Sequence, residues 1–507
     1  MGSTGGGRAA PARLRAGTVA RYAIGSVGTG GFGTLPGLVL VFYLTDTLGV
    51  SALAAGILFS VAKVWDIVID PVIGARSDRQ IAATGYRRGL MVLGAVLLPV
   101  FFALTFAVPA GLPWPLAAAW VFVGFVLAAT AFSLFQVPYI ALPAELVSSY
   151  DARTRLLSAR VIVLTFAILL FGAGGPALRE LGGSDEHLGY LLMAIVAGVV
   201  LAVSFLIAST VEKSARGGGV PRPPANDPHT GLSAPRSNLA LHYRRGVQAL
   251  RTSQPFRALL ATFVLQALAT GMMLAGAQYV AQWVLEDRAA ITYLFVALIA
   301  PALLVTPLWA LVARRVGKER AFVLATVLYL VAALSLVLML WQPGPWLYVS
   351  VALAGAAYAG MQSLPLAMLP DVIAHDARTE GPGRAGTFSG VWTAGETTGM
   401  TLGTTVLTIV LAATGYIEST ADQDVTQGPL AIAGIVLSFS LVPAVLLALS
   451  LVTLRRYPLR RADIDEVEAP IVPGLTGLPD EPAVAPGDEI AETPGSGAAG
   501  TGSEGAR

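Results

Sequence analysis

Residues 51–75 read SALAAGILFSVAKVWDIVIDPVIGA, an apolar run long enough to cross a bilayer that nevertheless contains Lys63, Asp66 and Asp70. A charge at such depth costs several kcal/mol unless it is paired, neutralised or facing water. Asp66 and Asp70 are spaced i,i+4, and Lys63 precedes Asp66 by three, so in a helix all three share one face. That face is turned away from lipid. Two carboxylates about 6 Å apart at the Cβ level suit a small cation; without one, their repulsion favours a shared proton. The plainer alternative is a Lys63–carboxylate bridge that holds helices together.

The rest of the 507-residue chain has the same character: 55% of residues are hydrophobic, 13% are charged, and mean hydropathy is +0.69. That charged fraction is about half the soluble norm, so a soluble enzyme is excluded. The net charge of +2 is spread in short clusters, which argues against nucleic acid as a partner. With no cysteine and only four scattered histidines (His187, His229, His242 and His375), the chain offers no disulfide, thiolate or metal-ligand cluster, and neither a cofactor nor an enzyme is expected.

Twelve apolar spans are predicted near 20–46, 51–75, 89–109, 115–143, 157–178, 188–211, 257–284, 290–313, 321–341, 346–370, 386–414 and 430–454. Basic residues follow every even-numbered span: Arg76 and Arg79 after the second, Arg155 after the fourth, Lys213 and Arg216 after the sixth, and Arg314, Arg378 and Arg455 after the eighth, tenth and twelfth. The positive-inside rule then places both termini in the cytoplasm of a multi-pass cell-membrane protein, expected as a monomer in contact with lipid. The divisions are a cytoplasmic segment 1–18, a six-helix bundle 19–211, a linker 212–256, a second bundle 257–457 and a Pro-, Gly- and acid-rich tail 458–507 that reads as disordered. Within the linker, Leu239, Leu241, Val247 and Leu250 set against Arg244, Arg245 and Arg251 suggest a short amphipathic helix on the membrane surface.

The two bundles repeat one another. Pro138-Tyr-Ile-Ala-Leu-Pro143 leads to Asp151-Ala-Arg-Thr154, and Pro365-Leu-Ala-Met-Leu-Pro370 leads to Asp376-Ala-Arg-Thr379. Two related six-span halves around a long central loop form the layout of transporters that rock about a midplane site. Further polar residues inside spans are Gln136, Arg160 and Glu396, the last within Trp392-Thr-Ala-Gly-Glu396-Thr397. A carboxylate as deep as Glu396 has to pair or titrate, and Arg160 or Lys63 is an available partner. The glycines of span 1, Gly30 among them, suit either close helix packing or a break at a site. Asp78, Arg79, Arg87 and Arg88 lie where helix ends meet and read, with Lys63, as gating residues.

Gly74-x3-Asp78-Arg79 resembles the cytoplasmic loop motif of the major facilitator superfamily. Trp65-Asp66-x3-Asp70-Pro71-x2-Gly74, Pro370-Asp371-x4-Asp376 and Phe388-Ser-Gly390-x-Trp392-Thr393 resemble, more narrowly, the glycoside–pentoside–hexuronide:cation symporters. The resemblance implies an all-α fold of twelve spans and a coupling Na⁺, Li⁺ or H⁺ at Asp66 and Asp70, assisted by Ser133. It also implies a substrate site at Gly30, Gln136, Ile140, Arg160 and Thr397, to which the polar stretch of span 11 adds Trp392 and Glu396 as candidates. Sugar-binding members resembling melibiose permease carry aspartates where Gly30 and Gln136 stand, a stacking Trp where Ile140 stands and often a lysine at Thr397, whereas Arg160 matches a family arginine. The expected function is therefore cation-coupled symport of a glycoside-like solute. An amphipathic lipid or organic acid is the alternative cargo, and a non-transporting sensor or assembly factor is the alternative class. An apolar cavity with a lateral opening is expected for lipid, and polar groups converging around Gln136 and Arg160 for a glycoside.

Overall fold

The computed structural model describes residues 15–109, 111–146, 150–216, 248, 250–379, 385–420 and 425–459. Most of the expected N-terminal segment, nearly all of the amphipathic linker stretch and the tail from position 460 lie outside the described residues.

The long helices are α1 (Ala16–Phe42), α2 (Ala52–Thr84), α3 (Arg88–Phe106), α4 (Trp114–Leu146), α5 (Tyr150–Arg179), α6 (Glu186–Ala208), α7 (Gln254–Tyr279), α8 (Ala290–Val316), α9 (Lys318–Ser335), α10 (Leu347–Thr379), α11 (Ala385–Ala413), α12 (Pro429–Phe439) and α13 (Leu441–Leu454), with a short helix Val211–Arg216 after α6. Among the described residues, eleven helical spans are long and apolar enough to cross a membrane, α12 and α13 together forming one of them. The remaining predicted span is α11, whose 29 residues reach about 43 Å but are richer in Gly and Thr. Several helices outrun the apolar stretches that predicted them: α2 continues to Thr84 and α10 to Thr379. Hydropathy marks where lipid ends, and a charged turn beyond that point remains a good helix former.

The internal repeat is visible in the backbone. α1 and α7, which open the two halves, each run into a π-helical turn, Tyr43–Thr47 and Val280–Val284. The proline pairs of α4 and α10 both lie inside continuous helices. α1 and α7 are also the most buried of the described spans. For α1 the reason is local: a Cβ on Gly28 would fall 2.0 Å from the Phe205 ring, so the missing side chain is what lets α6 come that close. Val72, Ile162, Leu304 and Val349 are each more than half exposed, an extent of apolar surface that fits a chain crossing a membrane.

Candidate functional site

A cavity of about 270 Å³ lies between the two halves, lined by α1 and α5 on one side and by α7 to α12 on the other. Its size is near the lower end of ligand pockets, about 300 Å³. The lining is mostly apolar, with one polar patch where Glu396 of α11 lies near Tyr358 of α10, whose hydroxyl accepts a 2.7 Å hydrogen bond from Gln362 Nε2. Gly30 lines the opposite wall. A Cβ on Gly30 would meet the Leu164 carbonyl at 2.9 Å, so this glycine serves close packing and the cavity wall together. Thr29, also in the lining, donates to Gln136 Oε1 at 2.8 Å, which places Gln136 one hydrogen bond behind the wall.

The other residues expected at the substrate site are dispersed. Arg160 stacks its guanidinium over Tyr139, 5.5 Å from the ring centre, and approaches Tyr22. Ile140 is 52% exposed. Trp392 is buried against Phe263 with ring centres 4.2 Å apart, leaving its indole Nε1 without a hydrogen-bond partner. Thr397 spends its carbonyl within α11, on Thr401. The polar convergence expected around Gln136 and Arg160 forms instead around Glu396. Tyr358 and Gln362 were not singled out in the sequence, although their i,i+4 spacing inside an apolar run is the signal that identified Asp66 and Asp70. Among the described residues no ion pair joins Glu396 to Arg160 or Lys63; Lys63 Nζ lies 3.3 Å from Asp66 Oδ2 and over the Phe125 ring.

α2 carries Lys63, Asp66 and Asp70 within one continuous helix, with the Lys63–Asp66 bridge made. Asp66 Oδ1 and Asp70 Oδ1 are both buried with no hydrogen-bond partner, and the Ser133 hydroxyl of α4 faces Asp70. Pro71 has no N–H, so the Ile67 carbonyl lacks its usual helical donor. A cluster of oxygens short of donors is chemically suited to a small cation.

Polar contacts between the halves gather at the end where α1 finishes and α7 turns. Asp46, in the π-turn after α1, is buried. Its carboxylate accepts from Tyr416 OH (2.5 Å) and Trp283 Nε1 (3.0 Å) of the other half and from Thr45 Oγ1 (2.5 Å) beside it. Around it, Thr45 bonds Tyr279, Ser419 bonds the Asp46 carbonyl, and Glu418 accepts from the Ala52 N–H at the start of α2. Arg288 pairs with Glu186 at 2.6 Å. Burial, reinforced by the Asp46 charge, raises the Tyr416 phenol well above its usual range, so it stays a donor. Deeper in, Ser60 of α2 meets Thr405 of α11 at 2.5 Å.

At the opposite end, the expected gating residues clasp helix ends within the first half. Arg87 is buried, bonds Asp78 at 2.8 Å and Ser77 Oγ at 2.6 Å, and the backbone N–H groups of Arg87 and Arg88 both donate to Glu212 at 3.1 Å. Glu212 thus satisfies the open N-terminus of α3. Arg88 Nε is buried without a partner, and Arg79 is exposed. The second half has its own clasp, Lys318 to Asp371 at 2.6 Å.

The family described as MFS/sugar transport protein matches this chain over residues 21–461. The chain belongs to that family. The MFS/sugar transport chain is 24% identical to the glucuronide carrier protein homolog of Escherichia coli (strain K12), over 89% of this chain and 94% of that protein. It is also 24% identical to the isoprimeverose transporter of Lactiplantibacillus pentosus, over 86% of each. The fold is similar to that of the xylose transporter XylE from E. coli in an inward open conformation, with a TM-score of 0.53 at 15% identity, covering 89% of this chain and 98% of that one. It is a membrane transporter of the major facilitator type, as the α2 and α10–α11 motifs led us to expect.

Proposed function

We propose that this MFS/sugar transport chain is a cation-coupled symporter of a glycoside-like solute. The observation that carries the coupling is that Asp66 and Asp70 each keep one buried carboxylate oxygen without a donor, although Lys63 pairs with the other oxygen of Asp66. In this reading Asp66, Asp70 and Ser133 bind Na⁺ or H⁺, the cavity bounded by Thr29, Tyr358, Gln362 and Glu396 holds the solute, and the Asp46 contacts seal one end. The clusters of Arg and Lys beyond α2, α6 and α8 support a cytoplasmic position for the other end; in this reading the sealed end is extracellular and the described state faces inward. Relatives named for glucuronide and isoprimeverose support a sugar-like cargo over a lipid.

Binding the cation relieves the repulsion between the two carboxylates, and whichever conformer binds cation and solute together is favoured by their differential affinity. In proteoliposomes, a Na⁺ or H⁺ gradient should drive uphill uptake of a radiolabelled xyloside or glucoside. Asp66→Asn and Asp70→Asn should each abolish accumulation while exchange survives. Undiminished uphill uptake in both variants would refute the coupling role.

A further inference from the structure

The solute cavity has an unusual charge balance. Among the described residues, Glu396 is its one ionisable acid, and no Lys, Arg or His lines it. The two cations expected as partners of Glu396 do not line the cavity: Lys63 pairs with Asp66 beside the Phe125 ring, and Arg160 lies over the Tyr139 ring with its Nε buried and unpartnered. Gln362 spends an amide hydrogen on Tyr358, which leaves the phenol proton free to point towards an acceptor in the cavity. A carboxylate in a low-dielectric cavity with no protein cation is completed either by a proton or by a positive group on what enters. A second negative charge in the same small space is strongly disfavoured.

We propose that Glu396 selects the charge class of the solute: the cavity accepts neutral glycosides, prefers those carrying a protonated amine, and rejects uronates. The amine is the counter-ion of Glu396, while Tyr358 and Thr29 meet uncharged hydroxyls on the two sides of the cavity. The preference rests on the glycoside reading for its scaffold and on the cavity's charge alone for its sign.

The test is ligand binding to the purified full chain by calorimetry, at a pH where the amine is protonated. One series is methyl β-glucoside, its 2-amino-2-deoxy analogue and methyl β-glucuronide. A second carries the same charges without a sugar: cyclohexylmethanol, cyclohexylmethylamine and cyclohexanecarboxylate. In the wild-type protein the amine should bind at least about tenfold more tightly than the alcohol form, and the acid at least about tenfold more weakly. In Glu396→Gln the three should converge to within about threefold. If only the non-sugar series shows this order, the glycoside reading fails and the charge rule stands. The wild-type order decides the matter even should the variant not fold: an acid that binds as well as the alcohol overturns the proposal, as does the absence of amine binding in both series. An amine preference that survives Glu396→Gln belongs to another carboxylate and overturns it too.

Discussion

Asp46 offers the sharpest perturbation of the sealed end. Of the three hydrogen bonds to its carboxylate, those from Trp283 and Tyr416 cross between the halves, and both vanish when the halves separate there. A bond to a charged group contributes about 1.5–3 kcal/mol, so the two together contribute about 3–6 kcal/mol to closure. Desolvating the carboxylate offsets part of that, and Asp46→Ala also strands the indole N–H and phenol O–H. A net shift of about 2 kcal/mol towards the open state is a change of about 30-fold in the closed-to-open ratio. The natural absence of cysteine makes the readout clean. Thr408 is fully buried and faces Gly56 across the interface, so Thr408→Cys reports opening by its rate of maleimide labelling. In detergent, where orientation does not matter, Asp46→Ala should speed labelling by about 30-fold. Glu186→Gln, which breaks the Arg288 pair whose arginine is 49% exposed, should speed it by less than about fivefold. Equal labelling rates in wild type and Asp46→Ala would show that Asp46 does not hold this end closed.

Two glycines of α1 should behave oppositely. Gly28→Ala drives a methyl into Phe205 and should lower stability by about 1–3 kcal/mol, read as a fall in Tm. Gly33 lines the cavity with open space at its Cβ position; Gly33→Ala should leave Tm unchanged, while Gly33→Leu should fill the cavity and suppress solute binding without unfolding the protein. Arg87→Lys keeps the charge but cannot reach both Asp78 and Ser77 from one ammonium, and should cost about 1.5–3 kcal/mol, measured by thermal denaturation. An unchanged Tm in Arg87→Lys would mean that the clasp adds nothing in this conformer.

How much was legible follows from where each signal resides. Twelve spans and the acidic face of α2 are local patterns, readable from an apolar run and an i,i+4 spacing. Ser133 carries no local signal and enters only through the family resemblance. Asp46 stands at the last position of a predicted span, where a charge is ordinary. Its meaning comes from Trp283 and Tyr416, which lie 237 and 370 positions away. Tyr358 and Gln362 were within reach, being a polar pair on one face of an apolar run, but uncharged side chains cost too little in a membrane to stand out. The dispersal of Arg160, Ile140 and Trp392 has the same origin: a motif fixes position along a helix, while packing decides which side chains share a cavity.

The two helices that carry the proposed ligand groups are also one of the pairs that meet across the halves. α2 holds Asp66 and Asp70, α11 holds Glu396, and the two touch at Ser60 and Thr405. Asp66 and Asp70 are six and ten positions from Ser60, and Glu396 is nine from Thr405, so each ligand group is about 9–15 Å along a continuous helix from that contact. The start of α2 is fixed in turn to Glu418, two residues beyond Tyr416. A tilt of either helix that improves its own ligand site therefore displaces the contact shared with the other and reaches the Asp46 seal. Linkage then requires reciprocity: if the cation tightens solute binding through these helices, the solute tightens cation binding by the same factor. Ser60→Ala with Thr405→Ala should lower that one shared factor while leaving each ligand's separate affinity nearly unchanged, and an undiminished factor in the double variant would place the coupling elsewhere in the bundle.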